Sequence, residues 1–408
     1  MKIGIVVQRY GKEINGGAEL HAKQLAEQLN NKHEVRVITT QSKSYNEWDN
    51  QLNNSKEIIN NIEILRFPSV KKNHVQYRKY IRRMNKTRRH HRLFKRFGLF
   101  SFFDRLGCFE PSKKSFQKWL IHQGPYCEGL VDFLKENKSK YDVFIFFTYL
   151  YYPTNIGLPE VARKSILIPT AHDEPPFYYK GYENLFRKVG FIMYNSESEK
   201  ELVEKTYPIA QEKPNDIAGV GIEKMNYKKY KSPIKQPYFV YIGRIDVSKN
   251  MGELIRWFEK YTEHNPEIRL VLIGQNVSEF SAGKQVIFTG FISDDEKYQW
   301  LLNAQALIIP SKFESLSMVT LEAMEQGVPV IANAYCDVLD DHIKRSEAGF
   351  SYRGFENFSN ILNKTLSLTE KEKSEIGNNG KNYVKKYYQW EEILKKFDSA
   401  FELIKHKK

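Results

Sequence analysis

Short runs of β-branched and aromatic residues alternate with amphipathic helical patterns along most of this chain. Residues 2–8 form an apolar run of strand length. Directly after it, residues 16–29 place Ala18, Ala22, Leu25, Ala26 and Leu29 at helical spacing, a single apolar stripe. Further strands are predicted at 35–39, 143–147, 165–169 and 191–194. A Pro- and Lys-rich stretch, 208–237, reads as an interdomain connection. Beyond it, strands are predicted at 238–242, 269–273, 286–288, 306–310 and 328–332, most of them followed by a helix. This alternation predicts two doubly wound α/β domains, each a parallel sheet with helices on both faces. In such sheets ligands bind outside the carboxyl ends of the strands, so two of them are expected to face a central cleft. The expected division is 1–207, 208–384 and a C-terminal amphipathic helix within 385–408, where Trp390, Ile393, Leu394 and Phe397 share a face.

Composition agrees with two cores and narrows the setting. A chain of 408 residues exceeds one ordinary core, and 41% hydrophobic with 14% aromatic residues is globular rather than disordered. Cys108, Cys127 and Cys336 have neither metal-ligand nor disulfide-framework spacing, which points to a reducing cytoplasm. The first apolar run is too short for a secretion signal. The longest apolar stretch, 143–152, is half the roughly 20 residues that a spanning helix needs, so any membrane contact is expected to be peripheral.

Charge is concentrated rather than spread. Of the net +14, residues 71–105 carry +12, with thirteen Lys or Arg against the single acid Asp104. Between 77 and 103 these cations mix with Tyr80, Ile81, Leu93, Phe94, Phe97 and Phe100, the pattern of a basic amphipathic helix followed by an aromatic wedge. Arg78, Lys79, Arg82, Arg83, Arg88, Arg89, Arg92, Lys95 and Arg96 are the candidate contacts with something anionic. The residues alone fit an anionic membrane surface, a nucleic acid or a solvated helical face.

Four constellations carry candidate chemistry. Gly16-Gly17-Ala18-Glu19 opens the first helix, where glycines permit close approach to a phosphate or an acceptor; a tight turn is the bland alternative. The full three-glycine dinucleotide pattern is missing, which argues against a nicotinamide or flavin. Gly243-Arg244-Ile245-Asp246-Val247-Ser248-Lys249 follows a strand and puts two cations five apart, able to neutralise one diphosphate or to remain ordinary solvated surface. Glu314 and Glu322 stand eight apart across a strand end, a loop and a short helix, with Leu316, Ser317, Met318 and Val319 offering N–H donors at the helix start. Glu322 lies among Leu321, Ala323 and Met324, and a carboxylate there needs a partner, such as a ribose. Finally, His172 in Thr170-Ala171-His172-Asp173 opens the loop after a strand and can bond a hydroxyl; a lone histidine is more often structural.

Taken together and in this order, the four resemble the retaining glycosyltransferases of family 4, which have the GT-B fold of two Rossmann-like domains. The most specific parts are the Glu-x7-Glu at Glu314 and Glu322, the Glu322-Ala-Met-Glu-Gln-Gly-Val-Pro-Val-Ile that follows, and Gly243-Arg244 with Lys249. The resemblance implies an acceptor-side first domain, a donor-binding second domain and a C-terminal helix returning to the first. It implies that Arg244 and Lys249 hold the donor diphosphate, Glu314 the sugar hydroxyls and Glu322 the ribose. His172 would lie beside the transferred sugar, and Gly17 would face phosphate or acceptor.

The resulting expectation is a metal-independent glycosyltransferase without a cofactor, using a UDP- or GDP-linked sugar as donor. Its acceptor would be a saccharide, lipid-linked, in surface polysaccharide or glycoconjugate synthesis. Among the readings of the basic segment the resemblance favours the membrane, which implies a cytoplasmic protein attached peripherally to the inner face, with no nucleic acid as partner. The competing readings are a nucleotide-sugar epimerase of the same fold and a non-enzymatic nucleic-acid binder using residues 71–105.

Overall fold

A computed structural model describes residues 1–14, 16–96, 113–224 and 231–406, with the side chains of 86–96 outside the description. The chain divides into two compact units, Met1–Ala218 with Leu394–Lys408, and Gly219–Ile393.

The first unit is built on eight strands: β1 (Lys2–Val6), β2 (Glu34–Thr40), β3 (Lys56–Ile59), β4 (Ile62–Phe67), β5 (Val143–Phe147), β6 (Ser165–Ile168), β7 (Phe191–Tyr194) and β8 (Asn215–Ile217). Their order is β3-β4-β2-β1-β5-β6-β7-β8, parallel throughout except for β3 against β4. Helices cover both faces, so the central strands are apolar on both sides; every residue of β5, Val-Phe-Ile-Phe-Phe, is buried. Gly4 makes this packing possible, since a Cβ there would lie 2.7 Å from the Phe144 ring on the neighbouring strand. Three of the eight strands were not expected. β3 and β4 form a hairpin whose turn residues Asn60 and Asn61 are both left-handed, and β8 lies in the stretch read as a connection.

The basic segment begins as a helix, His74–Arg96. Tyr80 and Met84 are buried beside the helix Lys113–Gln123, where the Tyr80 ring stacks on His122 at 5.4 Å. Arg78, Lys79, Arg82 and Arg83 are exposed. The side chains of Arg88, Arg89, Arg92, Lys95 and Arg96, and the expected aromatic wedge from residue 97 onward, lie outside the described residues. Among the described residues, no helix is long and apolar enough to cross a membrane.

The second unit is a six-stranded, fully parallel sheet: β9 (Tyr238–Ile242), β10 (Arg269–Ile273), β11 (Val286–Gly290), β12 (Leu307–Ile309), β13 (Val330–Asn333) and β14 (Gly349–Tyr352), in the order β11-β10-β9-β12-β13-β14. Sequence order reverses between β9 and β12, so the loops that follow these two strands are neighbours, the usual place for a ligand. The chain closes with the helix Trp390–Lys405, whose Phe397, Phe401 and Ile404 are buried.

Candidate active site

In the second unit the loop after β9 is folded by its own side chains. Gly243, at φ +148°, lets the chain turn where a Cβ would press within 2.9 Å of the Tyr241 hydroxyl. Asp246 then caps the single turn Val247–Lys249, accepting from Ser248 Oγ (2.5 Å) and from the Lys249 main-chain N–H (3.1 Å), and it pairs with the Arg244 guanidinium. Burial pulls Asp246 upward, but those hydrogen bonds and the Arg244 charge outweigh it and hold the carboxyl below its usual range. Asn250 is left-handed (φ 61°) and donates to Glu253 Oε1 and to the Pro310 carbonyl, joining this loop to the one after β12.

Because β9 and β12 are adjacent, Lys249 meets Glu314 across the two loops, with Nζ 2.6 Å from Oε1. Both remain partly open to solvent, at 28% and 15% exposure, so each can exchange its partner for a ligand. Arg244 lies in the same loop as Lys249 but is paired with Asp246 rather than with Glu314.

The helix Met318–Glu325 starts after Ser317, itself left-handed at φ 63°, with its hydroxyl 2.9 Å from Thr320 Oγ1. Its first turn offers the Met318 and Val319 N–H groups at the positive end of the helix. Leu316 precedes the helix and is buried. Its carbonyl is held at 2.8 Å by Nε2 of His342, whose Nδ1 lies 3.0 Å from the Tyr383 hydroxyl. Burial pushes His342 down to about 4, so near neutrality the ring is uncharged, with Nε2–H donating to Leu316 and Nδ1 accepting from Tyr383. Glu322 keeps 19% exposure, and its carboxyl is raised by burial, partly offset by Lys297 at 3.7 Å. Its partner is Lys297, on the helix Asp294–Leu302, whereas Lys249 pairs with Glu314.

The loops beyond the strands of this sheet also present apolar side chains. Val247, Val277, Phe291, Phe313 and Tyr335, one after each of β9 to β13, are all exposed. Apolar groups beside a charged loop pair suit a ligand with a flat ring at one end and phosphate at the other.

In the first unit, Gly16 and Gly17 open the helix Gly17–Asn30. A Cβ on Gly16 would come 2.1 Å from Glu19 Oε2, whereas one on Gly17 meets nothing within 4 Å. Packing therefore requires a glycine at 16 and leaves the space before 17 open. Glu19 is buried and takes two bonds from Arg9, from Nε at 2.9 Å and Nη2 at 2.6 Å, while Nη1 of Arg9 donates to the Lys43 carbonyl. His172, after β6, has Nε2 3.5 Å from Glu174 Oε1, an oxygen that also accepts from the buried Tyr149 hydroxyl at 2.9 Å.

The residues absent from the sequence-based site are those that brace it: Asp246, Asn250, His342, Lys297 and, in the first unit, Glu199. Glu199 is 1% exposed and accepts from the main-chain N–H groups of Ala171 (2.5 Å) and Asn195 (2.6 Å), tying the loop that carries His172 to the end of β7. Burial raises its carboxyl to about 8 against those bonds. Asp246-x-x-Lys249 and Ser196-x-x-Glu199 have the spacing of helix-start caps, the local signal that could have flagged two of them.

Comparison with known proteins agrees with this architecture. Residues 223–383 match the family described as "Glycosyl transferases group 1". Sulfoquinovosyl transferase SQD2 of Arabidopsis thaliana is 32% identical over 103 residues, 24% of this chain, and the match spans only 19% of that protein's length. An uncharacterized glycosyltransferase of Methanocaldococcus jannaschii is 23% identical over 99% of this chain and 98% of its own. Among solved structures, sucrose-phosphate synthase from Thermosynechococcus elongatus superposes with a TM-score of 0.68 at 15% identity over 100% of both chains. Anabaena HepE in complex with UDP-glucose gives 0.65 at 16% identity over 98% of this chain and 99% of its own. Residues 223–383 thus resemble a group 1 glycosyl transferase domain, and the chain has the GT-B fold seen in those solved structures.

Proposed function

We propose that this protein is a retaining glycosyltransferase that moves a hexose from a UDP- or GDP-linked donor to a lipid-linked saccharide at the inner face of a membrane. The observation that carries this reading is the Lys249–Glu314 contact beside the start of the helix Met318–Glu325. A diphosphate entering there would take Lys249, Arg244 and the Met318 and Val319 N–H groups as its partners, releasing Glu314 to accept from sugar hydroxyls. The exposed apolar side chains along the same edge would receive the base, and Glu322 the ribose. The solved complex of Anabaena HepE with UDP-glucose supports a donor of this class.

In the transfer, the bond between the anomeric carbon and the diphosphate oxygen breaks, and one from the acceptor hydroxyl oxygen forms on the same face. The hydroxyl proton passes to the departing phosphate oxygen. Arg244, Lys249 and the helix N–H groups stabilise the negative charge that grows on that oxygen, the role a divalent metal would otherwise fill, so no metal is needed. His172 would bond a hydroxyl of the transferred sugar, and Gly17 leaves room for the acceptor. The exposed cations Arg78, Lys79, Arg82 and Arg83 would hold the protein on an anionic surface.

A thermal-shift screen of UDP, GDP and their sugars identifies the donor, since a ligand bound only by the native state raises apparent stability. Transfer is then followed with the product's anomeric configuration. Transfer that survives Glu314→Ala, or an inverted product, overturns the reading. So does activity lost in chelator and restored by a divalent ion.

A further inference from the structure

At the carboxyl edge of the first sheet, two different chemistries start from one loop. Residues 44–48, which follow β2, bring the Tyr45 ring to 5.3 Å from the Arg9 guanidinium and pack Trp48 against Tyr151 at 5.3 Å. The same loop braces the start of the basic helix: the Glu47 carbonyl accepts the Lys72 main-chain N–H at 2.7 Å, and its carboxylate lies 2.9 Å from His74 Nε2.

The edge itself is poorly suited to an anion. The charge of Arg9 is committed to Glu19 through two bonds, and its remaining nitrogen to a carbonyl. Glu19 also stands in the first turn of its helix, where it answers the positive end of the helix dipole. Glu174, after β6, adds another carboxylate. The half-buried rings of Tyr45 and Tyr151, with Glu174 near Tyr151, suit a neutral sugar, whose C–H faces stack and whose hydroxyls donate.

The helix that leaves this edge is the opposite. Arg78 and Arg82, and Lys79 and Arg83, are spaced i,i+4, so they form one exposed stripe. Residues 71–103 contain no acid to neutralise it. From His74 to Arg78 and Arg82 the helix rises about 6–12 Å, the reach of one or two sugar rings.

We propose that the acceptor is a saccharide bearing a phosphate one or two sugar units from the accepting hydroxyl, with its sugar against Tyr45, Tyr151 and Glu174 and its phosphate on the Arg78–Arg83 stripe. This rests on the glycosyltransferase reading above. A lipid diphosphate and a water-soluble sugar phosphate present the same chemistry to the stripe.

The test uses the full-length protein and the donor found by thermal shift, with glucose, galactose and N-acetylglucosamine each offered in three forms. These are the neutral dodecyl glycoside, the sugar 1-phosphate and the sugar on dodecyl diphosphate, all in the same detergent micelles. A phosphate-bearing form is expected to show a KM at least about tenfold below the neutral one, because charge-assisted bonds to the stripe are made only by the phosphate. The triple variant Arg78→Gln, Arg82→Gln, Arg83→Gln should bring that ratio near one, with its thermal midpoint checked against the parent. Equal use of the two phosphate forms identifies phosphate alone as the determinant, and preference for the lipid form identifies the lipid diphosphate; both support the proposal. Equal KM for neutral and charged forms overturns it, as does a variant that weakens all three forms alike. A donor that stabilises the protein with no acceptor of any form used also overturns it while leaving the transferase reading standing. The absence of any donor shift instead removes that reading.

Discussion

At the carboxyl edge of the eight-stranded sheet, two carboxyls are buried and fully engaged: Glu19 with Arg9, and Glu199 with two main-chain N–H groups. At the matching edge of the six-stranded sheet, Lys249 and Glu314 contact each other on loops still open to water, with exposed apolar side chains around them. Buried charges that have a partner specify the backbone, because losing one partner leaves the other stranded in a poor solvent. Exposed pairs add little to stability and are free to change partners. The contrast separates a first edge whose buried pair holds the backbone from a second whose pair is open to exchange with a ligand.

Four measurements bear on that contrast, taken from the largest effect down. If the second edge does chemistry, Glu314→Gln and Lys249→Met each lower kcat by about a hundred- to a thousandfold, with thermal midpoints close to the parent's. A loss of stability comparable to the loss of rate would erase the distinction. At the first edge the balance reverses: Glu19→Gln strands the buried Arg9 charge and is expected to cost about 3–5 kcal/mol in urea unfolding. A cost below about 1 kcal/mol would mean that this pair behaves as an exposed one.

The third measurement concerns pH. Above pH 6.5, His342 is neutral in both the folded and unfolded chain, and its contribution is complete. Below that, the unfolded chain takes up a proton that the buried ring refuses until about pH 4. Stability is therefore lost as pH falls from 6.5 through 4, by about 3 kcal/mol for this group. His342→Gln should flatten that part of the stability profile, whereas an unchanged slope would assign it to other groups. The smallest effect separates two adjacent glycines. Gly16→Ala must displace the Glu19 carboxylate and is expected to cost about 1–3 kcal/mol, while Gly17→Ala should leave the midpoint nearly unchanged and raise the acceptor KM. Equal stability losses at both positions would make the pair a simple turn.

Much of the fold was legible because buried parallel strands are short, continuous apolar runs, as at β5, β9 and β10. Strands with a polar face escaped. β3 and β4 carry Lys56, Glu57, Glu63 and Arg66 among their apolar residues, and their Asn60-Asn61 turn was the signal available. β14 opens on Gly349 and β8 is three residues long, too little for any periodicity. Within 385–408 the C-terminal helix starts only at Trp390, because the preceding helix runs to Tyr387 and the chain breaks at Tyr388, whose φ is −128°. The loops that carry the candidate residues were legible, because each follows a strand. Their bracing was not: His342 reaches Leu316 across 26 residues, and nothing near either one in sequence announces the other.

By itself, the sequence determined the alternation of strands and helices, the placing of Gly17, His172, Arg244, Lys249 and Glu314 at the ends of strands, and the confinement of excess positive charge to one segment. These follow from local periodicity and composition. Only the tertiary structure decided which charges meet. Lys249 and Glu314 are 65 residues apart and touch because β9 lies beside β12. Glu322 likewise reaches Lys297 on a helix that precedes β12. Arg244 with Asp246 and Arg9 with Glu19 instead pair locally in sequence, where burial decides which partner is within reach.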